Sequence, residues 1–160
     1  MRYELCPQSK QRLSFIPDDL RYFNDRFIGE PMSEGWTIPT VSTAGTSYKA
    51  ADFVLWMLCA PVVSLRVREA LANICMGLVE FLPFHTISKS PYFAMNVLSR
   101  DTLMPIYKTS PNSVVYVDER FGAIVRNNGL TGLALADPEN DIGRRIVRGE
   151  SLHDFPGLLG

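Results

Sequence analysis

The chain has 160 residues, 46% of them apolar and 21% charged, which suits one domain, 1–160, with a sizeable core and excludes a disordered chain or a coiled coil. Its formal net charge of −1 leaves no global field to draw nucleic acid or an anionic membrane surface.

Taken in chain order, Met1–Leu5 and Arg12–Ile16 are short strand candidates separated by the turn-like CPQSK. The N-terminus MRYELCPQSKQRL lacks the apolar stretch of a signal peptide. Pro17-Asp18-Asp19 reads as a helix start, and Leu20, Phe23, Phe27 and Ile28 follow at helical spacing, predicting a helix near 18–28 that stops by Gly29 or Pro31. Residues 32–48, rich in Ser, Thr, Gly and Pro, read as a loop with a short extended piece over Trp36–Val41. Ala51–Leu58 has the length of a buried strand. The longest apolar run, Phe53–Val63, falls short of the about 20 residues that cross a bilayer. A cytoplasmic protein is the expectation.

The clearest helix covers about 64–76. Ser64 is its N-cap, Val67, Ala70, Leu71, Ile74 and Leu78 share one face, and Gly77 is placed to end it in the left-handed conformation. Beyond it the pattern becomes β: Val79–Ile87 alternates loosely, with Val79, Phe81 and His85 on one side and Leu82 and Phe84 on the other, and Tyr92–Leu98 follows. Ser113–Val117 and Gly122–Val125 read as strands around a hairpin-like Asp118-Glu119-Arg120-Phe121. Gly129-Leu-Thr-Gly132 turns the chain into a last apolar run ending at Ala136, and 137–160 is a polar tail. Strands, helices and further strands without regular alternation predict an α+β fold, mostly antiparallel.

Chemistry-bearing residues are sparse. Cys6, Cys59 and Cys75 are odd in number and without a CxxC spacing, so they read as reduced thiols, two of them buried. A hydrolase would have to pair Cys75 with His85, residues that nothing in the sequence brings together. Asp137, Glu139 and Asp141 alternate as in a calcium loop, but Ile142 and Arg148 stand where that loop needs glycine and glutamate, so a solvated acidic turn is the better reading. Arg144, Arg145 and Arg148 read as a solvated face. No metal, cofactor or catalytic set is expected. The remaining signal is acid beside aromatic: Asp18, Asp19, Tyr22, Asp25 and Glu30, with Phe23 and Phe27 among them, suit a protein-binding surface as well as an inward-packed amphipathic helix. With Asp137, Glu139 and Asp141 they form the candidate partner-binding set.

An ordered set of fragments carries a further indication. Trp36 is followed by Pro39, and Lys49 by Asp52-Phe53. Pro61-Val62-Val63-Ser64 leads to Arg68 and Ala70-Leu71. Val79-Glu80-Phe81-Leu82-Pro83, Tyr92-Phe93-Ala94-Met95-Asn96-Val97 and Gly129-Leu130-Thr131-Gly132-Leu133 complete the set. Over roughly 36–136 this resembles the bacterial polymorphic-toxin immunity proteins of family number eleven, first described as a domain of unknown function. The resemblance implies a cytoplasmic antitoxin that neutralises a cognate secreted toxin domain encoded by a neighbouring gene. It carries no catalytic residues, and the matched Trp36, Phe53, Ser64, Leu71, Phe81, Leu82 and Asn96 would cap, pack or turn. The competing expectations are the Cys75/His85 hydrolase and a structural adaptor of a secretion system.

Overall fold

A computed structural model describes residues 1–7, 14–19, 21–44, 51–57, 59–87 and 89–137. Its centre is a four-stranded antiparallel sheet built from β4 (Phe53–Met57), β5 (Ala60–Ser64), β6 (Val79–Ile87) and β7 (Ser90–Val97), in the order β4-β5-β7-β6. A second antiparallel sheet joins β10 (Leu133–Ala136), β1 (Arg2–Pro7), β9 (Tyr116–Asp118) and β8 (Ile106–Tyr107), in the order β10-β1-β9-β8. A ribbon of β2 (Ser14–Pro17) and β3 (Val41–Ala44) flanks α1 (Arg21–Arg26). The two remaining helices are α2 (Leu65–Leu71) and α3 (Glu119–Asn127). The fold is α+β with antiparallel sheets.

Strand register explains why the central sheet has two cores. Phe53, Val63 and Phe93 are paired across β4, β5 and β7, and so lie on one face; Val54, Val62, Ala94 and Leu82 are paired one residue along, and so lie on the other. The first row joins Val67 and Leu71 of α2, Phe121 and Val125 of α3, and Leu5, Ile106 and Val117 of the second sheet. The second row joins Phe27, with Met32, Trp36 and Val41 packed against it. A strap of chain, residues 27–41, thus covers the face turned away from α2 and α3.

Ser64 caps α2: its hydroxyl accepts from the Val67 amide, as expected. The regular helix is shorter than the expected 64–76. At Ala72 the amide bonds to the Glu69 carbonyl, a three-residue span that tightens the turn, and the chain continues as turns until Gly77 reverses it at φ +73°. Three corrections apply to the β reading. The single strand expected at 51–58 is Phe53–Met57, β4, and it pairs with a second strand, β5, in which Pro61 sits second, beside a bulge, where its missing amide hydrogen is tolerated. The extended piece expected at 36–41 forms a strand only from Val41 onward. The expected hairpin at 118–121 is the start of α3: Asp118 is an N-cap whose carboxylate accepts from the Arg120 and Phe121 amides, and Phe121, Gly122 and Val125 then fall on the core side. The β-branched pair Ile124-Val125 carries the misleading strand signal, whereas the strand expected at Ser113–Val117 is met in part by β9.

One buried carboxylate ties three segments together. Asp52, at the start of the hairpin, accepts from Ser64 Oγ at 2.9 Å, Arg66 at 2.9 Å and the Thr131 amide at 3.0 Å. The turn at 129–132 is glycine-dependent, as expected. Gly132 has φ +92°, and a Cβ there would meet the Phe53 carbonyl oxygen at 2.4 Å.

Candidate functional site

The acidic candidates of residues 18–30 are all on the strap or its approach. Asp18, Asp19, Asp25 and Glu30 are exposed, as is the neighbouring Glu34. Tyr22 lies in α1, with its side chain outside the described residues. The structure divides these acids by role. Asp19 Oδ1 accepts from the Arg21 amide at 2.9 Å, and Asp18 accepts from the Ser42 hydroxyl at 3.4 Å, so both serve the local fold. The side chains of Asp25, Glu30 and Glu34 make no hydrogen bond or ion pair among the described residues. Phe27, read alongside them as a surface aromatic or a core one, is fully buried in the second core. Asp137 is exposed at the end of β10, in the sheet that packs on the opposite face, so it is not brought together with the strap. Glu139, Asp141, Arg144, Arg145, Arg148 and His153 lie outside the described residues.

Side chains of the central sheet and of the chain after it hold the strap in place. Just beyond α1 the carbonyls of Phe27 and Ile28 have no helical partner, and two cations supply one. Lys108 Nζ donates to Phe27 O at 2.9 Å and Arg100 donates to Ile28 O at 2.8 Å. Gly29 turns there with φ +86°, and a Cβ would press on the Arg100 guanidinium at 3.2 Å. Asn96 Nδ2 donates to the Glu30 carbonyl at 2.7 Å and to Glu80 Oε2 at 2.9 Å. Glu80 in turn accepts the strap amides of Met32 at 2.7 Å and Ser33 at 3.2 Å. The Trp36 indole donates to the Pro83 carbonyl at 2.7 Å.

The electrostatics follow from this arrangement. Burial pushes the Glu80 carboxyl up, and the hydrogen bonds from Met32, Asn96 and Ser33 more than reverse it, leaving its pKa below the ordinary 4.5. Lys108 is fully buried; loss of water lowers its pKa from 10.5, a fall partly offset by nearby Cys59 and reinforced by Arg100. Glu80, Arg100 and Lys108 are given no role in the sequence reading, which counts Asn96 only among the positions that cap, pack or turn. The available signal was a pair of polar residues, Glu80 and Asn96, inside two apolar strands at positions that prove to be paired.

Where α1 meets the 33–36 turn, the strap leaves an open cleft of about 270 Å³ lined by Arg26, Met32, Glu34, Gly35 and Trp36. Trp36 meets Phe27 edge-on, with ring centroids 6.0 Å apart and an interplanar angle of 85°.

The cysteine–histidine pair is not assembled. Cys75 is buried in the first core, its thiol pushed up to about 12 by burial, and its carbonyl accepts from Val79 at the start of β6. His85 pairs with Tyr92 six residues further along that strand, roughly 20 Å away at the usual strand rise. Cys6 and Cys59 are also buried and free. Burial and then the Glu4 charge push Cys6 up to about 12; burial raises Cys59, with Lys108 and its own backbone opposing. Among the described residues no group of three or more His, Cys, Asp and Glu is placed to hold a metal ion, and no helix is long and apolar enough to cross a membrane. Comparison with known proteins gives no match, either to a family model or to a curated sequence.

Proposed function

We propose that this chain is an immunity-type protein that binds one cognate toxin domain, encoded by a neighbouring gene, and neutralises it by direct contact in the cytoplasm. The observation that carries the reading is the strap. Exposed Asp25, Glu30 and Glu34, whose side chains make no hydrogen bond or ion pair among the described residues, stand on or beside backbone held by Lys108, Arg100, Asn96 and Glu80. Charge presented on a backbone already fixed in place loses little entropy on binding and steers an oppositely charged partner. The partner would present a basic surface to this face. The likeness of residues 36–136 to the immunity proteins supports the same reading, and its matched positions Ser64, Phe53, Leu71, Leu82 and Asn96 cap or pack here, leaving recognition to the strap.

The test is co-expression with the product of the neighbouring gene, with growth and co-purification as readouts. Rescued growth and a one-to-one complex that Glu30→Lys with Glu34→Lys weakens are expected. Neither rescue nor a complex would overturn the reading.

A further inference from the structure

The C-terminal end of α3 carries the only Asn-Gly sequence in the chain, Asn128-Gly129. We propose that Asn128 is a deamidation site, and that Arg66 of α2 is the clamp that sets how fast the folded chain is modified there. The reaction needs water and no partner, so it is independent of toxin binding.

The way the helix ends creates the weak point. The Leu130 amide donates to the Val125 carbonyl at 3.0 Å and the Gly129 amide to the Arg126 carbonyl at 3.1 Å, the pair of bonds that closes a helix through a left-handed residue. Gly129 meets that need with φ +56°. The same missing Cβ leaves the Gly129 nitrogen open to the side chain before it, and both residues are exposed to water. Once it gives up its proton to solvent, that nitrogen attacks Asn128 Cγ. The Cγ–Nδ2 bond breaks, Nδ2 leaves as ammonia, and a five-membered succinimide closes. Water then adds at either ring carbonyl and opens it to aspartate or isoaspartate. One water is consumed and one ammonia released, with no change of oxidation state.

The folded chain holds the pair away from this reaction. Asn128 Nδ2 donates to the Ile124 carbonyl at 2.9 Å, which draws the carboxamide back along α3. With Asn128 ψ at 0°, the Gly129 nitrogen lies away from Cβ, so ring closure requires the peptide between them to turn. Turning it breaks the Gly129–Arg126 bond and moves the Asn128 carbonyl. That carbonyl accepts from one terminal nitrogen of Arg66, while the other is bound to Asp52 at 2.9 Å. Arg66 thereby ties the reaction to the Asp52 junction. The product does not fit the old site. A carboxylate cannot donate to Ile124, it adds negative charge where the helix end is already negative, and an isoaspartate lengthens the main chain by one atom.

The experiment incubates the full chain in heavy-oxygen water and follows the fragment holding Asn128 by mass spectrometry, with electron-transfer fragmentation to separate isoaspartate from aspartate. Asn112, exposed and followed by Ser113, reports the same chemistry away from the clamp in each sample. Label at residue 128 is expected, mostly as isoaspartate, at a rate at least about tenfold higher in urea than in the folded chain. Arg66→Ala should raise the folded-state rate at Asn128, relative to Asn112, about tenfold, as loss of one charged hydrogen bond implies. Arg66→Lys keeps a cation for Asp52 without the fork that reaches both acceptors; it should raise the ratio several-fold, and it serves where the alanine variant does not fold. Four results would each overturn the proposal: no label at residue 128 of the folded chain once labelling in urea is complete, aspartate without isoaspartate, equal rates in the two states, or an unchanged ratio in the folded variants.

Discussion

On one face of the central sheet, Phe53, Val63, Phe93 and Met95 meet α2, α3 and the second sheet through apolar side chains; on the other, Val54, Val62, Leu82 and Ala94 lie beneath a strap whose backbone is bonded to Lys108, Arg100, Asn96 and Glu80. The elements over the first face satisfy most of their own amides and carbonyls in ladders and helical turns. Between Phe27 and Thr40 the strap has no such ladder, so its buried polar groups must be met by side chains from below. Polar residues inside an apolar sheet are therefore informative: here they mark where irregular chain crosses and what holds it at a fixed height.

The largest effect should come from the first face. Phe53→Ala removes a fully buried ring tilted against Phe121 at 6.5 Å and should cost about 3–5 kcal/mol in urea unfolding. A loss under about 1 kcal/mol would mean that this face is not the main core. Next is Asp52→Ala, expected to cost about 2–3 kcal/mol, because the Thr131 amide and the Ser64 hydroxyl lose their acceptor. The second face should respond less, and locally. Lys108→Met strips a charged donor, worth about 1.5–3 kcal/mol, from the Phe27 carbonyl, but also removes the burial cost of the ammonium, so a net loss of about 1 kcal/mol at neutral pH is expected. Hydrogen exchange should show it in the strap before the sheet.

Two pH dependences sharpen the contrast. The folded-state pKa of Lys108 is depressed, so the unfolded chain binds more protons between that value and 10.5; native stability from this group rises with pH across that window. The gap between wild type and Lys108→Met should accordingly widen toward pH 10, and a gap that narrows would contradict the buried charge. Glu80 is also depressed, but as an acid: its contribution is complete above 4.5 and is lost as pH falls through the lower folded value. Protection of the Met32 and Ser33 amides should drop in that acid range, ahead of the amides of β6 and β7. Smallest of all, Asp25→Asn with Glu30→Gln should leave stability within about 0.5 kcal/mol while slowing association with the toxin partner.

Much of the scaffold was legible because it obeys simple periods. Ser64 and the strand Val79–Ile87 each have one local cause and appear where expected, and Gly77 takes its left-handed conformation although the regular helix ends before it. The helix α3 was not, because its Ile124-Val125 pair mimics a strand and its origin rests on the capping of the Arg120 and Phe121 amides by Asp118. The candidate site was legible only in part. Exposed acids are visible as letters, but the division between Asp18 and Asp19, which serve turns, and Asp25, Glu30 and Glu34, which do not, depends on contacts with Arg21 and Ser42. Lys108 and Arg100 meet carbonyls 81 and 72 residues away in sequence, and no local pattern encodes such a pairing.

The Trp36–Pro83 contact has a bearing on colloidal behaviour. Strand β6 is nine residues long and forms the outer edge of the central sheet, the sort of border along which identical molecules zip together. Midway along it Pro83 has no amide hydrogen to give, and its carbonyl is already taken by the indole of Trp36. A second molecule approaching that border meets an interrupted row of donors and acceptors, so the same tryptophan that walls the cleft also helps to keep concentrated protein from stacking edge to edge.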